Sequence, residues 1–138
     1  MSKIYKCSFE VRGYELDSFG HVNNAVYLRY LEHARWKMLE EEGITLKKIR
    51  ASKRWPVISR VEISYKRPLF MGDAIEIETR IVSHQKASFT IEQRIFRQGT
   101  LVSDAKLKSV VVDETGRPVG LPEEFLQLGR QLGNHHEH

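Results

Sequence analysis

The feature that most constrains this chain is one helix-period segment set between a single period-two segment and an unbroken run of four more. Residues 5–11 alternate, Tyr5, Cys7, Phe9 and Val11 against Lys6, Ser8 and Glu10, which predicts a half-buried strand. From Tyr27 the period changes. Tyr27, Leu31, Ala34 and Met38, with Tyr30 in the same stripe, recur as an amphipathic helix of about 17 residues requires. Asn23 or Asn24 can cap its start, because a short side-chain oxygen accepts from an unpaired backbone N–H. Gly43, after Glu40–Glu42, is a natural stop. Beyond a polar segment, 44–54, period two returns. Val57, Ser59, Val61, Ile63 and Tyr65 are expected on one face of a long strand ending at Pro68 and a Met71-Gly72-Asp73 turn. Ile75, Ile77 and Ile81 mark the next strand, and Phe89, Ile91 and Ile95 another. The last runs from about Leu101 to Val112. A turn over Asp113–Pro118 and a short helix from about Pro122 close the pattern.

Strands joined by short turns pair antiparallel, and a lone helix must cover one face of their sheet. The expected class is α+β, as a single domain over residues 1–138 with a disordered tail from 132 onward. The later strands carry apolar residues on both parities, as at Val110, Val111 and Val112. Sheet-to-sheet association would explain this, so a homodimer or homotetramer is expected.

The single cysteine, Cys7, permits no internal disulfide; within an alternating strand it reads as a packing residue rather than a nucleophile. The N-terminal residues lack a signal-peptide run, and no stretch reaches the ~20 apolar residues of a spanning helix. A cytoplasmic protein without membrane insertion is expected. The formal charge of +4 suits an anionic ligand. Nucleic acid is not expected, since there is no arginine-rich arm, zinc-ligand spacing or helix-turn-helix pattern. His135, His136 and His138 gather at the extreme end, where a terminal tail is the simpler reading than a metal site; no metal and no cofactor are expected.

The chemistry is expected in Tyr14-Glu-Leu-Asp17-Ser-Phe-Gly20-His21-Val-Asn23-Asn24-Ala-Val-Tyr27. Asp17 lies in a loop just before a helix start, which presents free backbone N–H groups and a partial positive charge. An acyl oxygen held there is polarised, and a carboxylate on its other side can act as base or nucleophile. The residues alone leave a plainer account open, in which Asp17, Asn23 and Asn24 cap turns and His21 is a structural hydrogen-bonder.

This segment resembles the signature of the 4-hydroxybenzoyl-CoA thioesterase family, close to its YbgC-like acyl-CoA thioesterase branch. It carries Tyr14, Asp17, Gly20-His21-Val22-Asn23-Asn24-Ala25, Tyr27, Tyr30, Glu32 and Arg35, and the likeness continues through Val57–Pro68 and Gly72-Asp73. The resemblance implies the hotdog fold, an antiparallel sheet wrapped around one long central helix, and dimers or tetramers with active sites at the subunit interface. It implies hydrolysis of acyl-CoA, with Asp17 as nucleophile or general base and the backbone N–H of Asn24 or a neighbour as the oxyanion donor. His21 and Asn23 would orient Asp17 or water, or else build the loop. Tyr27 would line the acyl pocket or belong to the core. Lys86 is the best match to the family's cationic CoA contact, with Lys66 and Arg67 as further candidates. Glu32 reads as a structural partner of Arg35. A thiol leaving group of pKa ~8.5 makes a strong general acid dispensable. Three alternatives stay open: an acyl-ACP thioesterase, a hotdog hydratase using Asp17 and His21 as an acid/base pair, and a non-catalytic acyl-thioester-binding protein.

Overall fold

Alternation becomes strand and the 3.6-residue stripe becomes helix in a computed structural model that describes residues 3–121 and Phe125. The strands are β1 (Tyr5–Glu10), β2 (Trp55–Tyr65), β3 (Ala74–His84), β4 (Ser88–Arg97) and β5 (Thr100–Val112). They form one antiparallel sheet in the order β1-β3-β4-β5-β2. Helix α1 (Asn24–Glu41) lies against its inner face, over β1 and β3. This is the expected hotdog arrangement. The expected helix from Pro122 and the tail from 132 lie outside the described residues, apart from helical, buried Phe125.

The stripe read from the sequence is the buried one: Tyr27, Tyr30, Leu31, Ala34 and Met38 of α1 meet Ile75, Ile77, Ile81, Ile91 and Ile95 of the sheet in one core. Burying one such side chain contributes about 1.5–3 kcal/mol. Cys7 is half-buried on the inward face of β1. Burial pushes its thiol above the ordinary value, which disfavours the reactive thiolate.

A polar clamp fastens helix to sheet. Gln93, fully buried in β4, donates through Nε2 to the Leu31 carbonyl (2.9 Å) and to Thr79 Oγ1 (3.0 Å), and its Oε1 accepts from Arg35 (3.1 Å). Arg35 therefore bonds to an amide. It has no ion pair to Glu32 among the described residues; burial depresses its guanidinium and Glu32 acts only as a nearby charge. Gln93→Leu keeps the volume but strands these groups. It is expected to cost about 2 kcal/mol, read as a lower denaturation midpoint at unchanged slope.

Three details differ from expectation. Residues 44–54 contain a second helix, α2 (Leu46–Ser52). In β2 the pairing with β5 skips a residue between Ile58 and Arg60. That bulge at Ser59 shifts the alternation, as an extra residue must, so the inward face carries Pro56, Ile58, Val61, Ile63 and Tyr65, while Val57 opposes Val110 on the other. The double parity at the end of β5 has a local cause: the chain returns after the Asp113 turn, bridging Val112 to Pro118 and hydrogen-bonding Val119 to Val111. The outer face is charged instead. Lys6-Glu78-Arg94-Asp104 and Arg80-Glu92-Lys106-Glu62 alternate in sign across neighbouring strands, with Arg80 2.7 Å from Glu92. One uncovered apolar surface lies on the inner side of edge strand β2, where Ile58, Val61 and Tyr65 are each more than a third exposed; the aromatics Tyr14 and Phe19 of the loop after β1 are more exposed still.

Candidate active site

The Asp17 loop is a miniature hairpin standing on a buried carboxylate. After β1, residues Gly13–Glu15 make one 3-10 turn. Glu15 is 6% exposed. Its carboxylate accepts from the Arg12 N–H (2.8 Å), from Arg12 Nε and Nη2 (3.1 and 2.6 Å) and from the Tyr30 hydroxyl (2.7 Å). The next residues pair across the loop. Asn23 donates its N–H to the Glu15 carbonyl (3.0 Å), Leu16 bridges Val22, and Asp17 donates its N–H to the His21 carbonyl (2.7 Å). Gly20, at φ +80°, makes the reversal, a conformation that penalises any side chain. Val22 ties the hairpin to Leu69.

Burial by itself would raise the Glu15 carboxyl, but Arg12 and the Tyr30 hydroxyl outweigh it and hold the group below its ordinary 4.5. A carboxyl depressed by folding stabilises the fold fully above its unfolded value and loses that contribution as pH falls through the folded one. Glu15→Gln is therefore expected to cost about 1.5 kcal/mol at neutral pH. The difference in Tm between parent and variant should narrow as pH drops below 4.5.

Asp17 is partly exposed. Its Oδ1 accepts from the N–H groups of Phe19 (2.8 Å) and His21 (3.2 Å), which fixes the carboxylate's direction. Oδ2 has no partner among the described residues. Asn23, not Asn24, caps α1: its Oδ1 accepts from Ala25 (2.9 Å). Asn24, the first helical residue, has a backbone N–H with no partner among the described residues, and its carbonyl accepts from the Tyr65 hydroxyl (3.3 Å). The loop thus carries a free carboxylate oxygen and leads directly into a helix start with a free donor.

His21 meets Asp17 only through its backbone, and its imidazole packs edge-on against Phe70 at 5.0 Å. Tyr27 is core, 3% exposed, its ring edge-on to Tyr65; burial raises its hydroxyl. Lys86 is exposed in the β3–β4 turn. The Asp17 loop sits where β1 ends and β3 begins, since Val11 bonds Asp73. The eleven residues of β3 separate the two by roughly 30–35 Å, so one protomer does not bring Lys86 to Asp17. Lys66 and Arg67 lie at the Asp17 end, where the Arg67 carbonyl receives the Tyr27 hydroxyl. Sequence reasoning missed Glu15. An arginine three residues before the glutamate, able to pair with it as it does here at 2.6 Å, is the signal that was available for it.

Comparison with known proteins follows the same lines. Residues 11–128 match the thioesterase-like superfamily. The chain is 32% identical over 126 residues to the long-chain acyl-CoA thioesterase FadM of Escherichia coli, covering 89% of this chain and 95% of that one. It is 35% identical over 127 residues to the chloroplastic acyl-acyl carrier protein thioesterase ATL3 of Arabidopsis thaliana, covering 91% and 67%. A crystal structure of a hypothetical protein from Aquifex aeolicus superposes with a TM-score of 0.86 at 29% identity, covering 91% and 98%.

Proposed function

The chain belongs to the thioesterase-like superfamily, and from that premise we propose that it is a single-domain acyl-CoA hydrolase, releasing free acid and CoA. The observation that carries the reading is the free Asp17 Oδ2 in a loop that runs into the free Asn24 N–H at the start of α1. The thioester oxygen accepts from that N–H, where the helix dipole favours developing negative charge. Asp17 then acts by one of two routes. As nucleophile it adds to the carbonyl carbon, the C–S bond breaks, the thiolate leaves, and water hydrolyses the mixed anhydride. As base it takes a proton from water, whose oxygen adds to the carbon as the thiolate leaves. Asn23 and the backbone of His21 hold the loop; Tyr27 backs the helix start from the core.

The same reading includes a homodimer. Its support is the uncovered inner face of β2 beside a free sheet edge. A two-fold partner running antiparallel would bring its Lys86 end towards this Asp17 end, where Lys86, Lys66 and Arg67 can meet CoA phosphates. Metal-free hydrolysis and the absence of a cofactor belong to the proposal.

A second donor, acyl-ACP, is favoured by the likeness to ATL3; it presents the same thioester. The hydratase alternative loses its acid/base pair, because the His21 ring packs on Phe70 rather than on Asp17. Free-thiol release from a panel of acyl-CoAs and acyl-ACPs tests the proposal. Turnover of at least one donor is expected. Binding without thiol release would point to the non-catalytic reading.

A further inference from the structure

We propose that Glu15 and Tyr30 are positioning residues for the hydrolysis: the hydrogen bond between them locks the Asp17 hairpin to α1, and so sets where the Asp17 carboxylate stands relative to the Asn24 N–H. The inference rests on the reading of Asp17 and Asn24 given above and adds two residues to it. Neither can touch a substrate, since Glu15 is 6% and Tyr30 2% exposed. They act only through the groups they hold.

The hairpin is fastened to α1 at two points, both through Glu15. The Glu15 carbonyl accepts from the N–H of Asn23 (3.0 Å), the residue that caps the helix. The Glu15 Oε1 accepts from the Tyr30 hydroxyl (2.7 Å). Tyr30 lies six residues beyond Asn24, which is about 9 Å further along the helix at 1.5 Å per residue. The first attachment alone leaves a hinge; the second, one and a half turns on, removes rotation about it. Oε1 also accepts from the Arg12 N–H (2.8 Å) and Oε2 from the Arg12 guanidinium (2.6 Å), so the same carboxylate is tied to the chain leaving β1. Asp17 follows two residues later. The Tyr30 ring is itself held edge-on by Phe9 at 5.0 Å, which aims its hydroxyl. Burial and the Glu15 carboxylate push that hydroxyl far above its ordinary 10, so it stays a donor at every working pH. Stability alone is a poor account of such an arrangement, because apolar residues of similar volume often replace a buried ion pair without loss. Direction is what the bonds add, and a misplacement of about 1 Å can cost about 10²-fold in rate.

The test is steady-state thiol release by the full chain, well below its Tm, from the thioester the parent turns over fastest. Tyr30→Phe removes one hydroxyl and keeps the ring. It is expected to lower kcat at least about tenfold with KM within about twofold, whereas a purely structural bond would shift Tm and leave the kcat of folded protein alone. Glu15→Leu should do the same, and Glu15→Gln, which keeps an oxygen at the Oε1 position, should regain most of the rate. In an Asp17→Asn background Tyr30→Phe should cost nothing further, because no carboxylate is left to place. A folded Tyr30→Phe with parental kcat overturns the proposal and leaves the role of Asp17 untouched. So does a tenfold loss that persists in the Asp17→Asn background, since Tyr30 would then act by another route. A parent that releases no thiol from any acyl-CoA or acyl-ACP, or an Asp17→Asn variant with parental kcat, overturns the reading of the site and this proposal with it.

Discussion

Asp17→Asn is expected to lower thiol release by at least about 100-fold, the scale of a lost acid/base group. The substitution is nearly isosteric. The Asn Oδ1 still accepts from Phe19 and His21, which hold the native side chain at 2.8 and 3.2 Å. The hairpin, the Leu16–Val22 bridge and the helix cap should therefore survive, and thermal stability should stay within about 0.5 kcal/mol of the parent. What disappears is the charge on Oδ2, the oxygen with no described partner. Binding of substrate depends on other groups, so the loss should fall on kcat with KM little changed. Parallel kinetics and melting curves of the two proteins check this. A folded variant with parental kcat would remove Asp17 from the chemistry while leaving the fold untouched.

The fold was legible because its elements are long and strongly periodic. Five apolar positions of α1 on one stripe, and isoleucines recurring on a single parity of β3 and β4, leave little choice of face. Failures came where one residue or one distant contact decides. Ser59 adds a single residue to β2 and moves Val57 to the other face. Helix α2 is seven residues long with only Ile49 buried, too short to display a period. Gln93 did carry a signal: a polar side chain on the inward parity between Ile91 and Ile95 must find partners. Those partners, Leu31, Thr79 and Arg35, are brought to it only by the folded chain.

The site divides in the same way. Asp17 and the helix start were readable because the loop and the cap are local in sequence. Glu15 was not, because its burial depends on Tyr30, fifteen residues on. Lys86 was expected in a turn and lies in the β3–β4 turn, but a strand's length separates it from Asp17, and only topology reveals that.

The role of the helix start can be separated from its structure by Asn24→Pro. Proline lacks the N–H proposed as the oxyanion donor, yet it is well accepted at the first position of a helix, and Asn24 occupies that position. The preceding residue is already suitable: Asn23 sits at φ −62° and ψ 137°, the extended region a residue before proline favours. The cap from Asn23 to Ala25 and the bond from Tyr65 to the Asn24 carbonyl involve other atoms. Stability should thus change little, while kcat should drop about 10²–10³-fold, the usual cost of a lost oxyanion donor. Asn24→Ala keeps the N–H and should keep most of the rate, which assigns the effect to the backbone rather than to the side chain. A proline variant with parental kcat would mean that the carbonyl oxygen is held elsewhere.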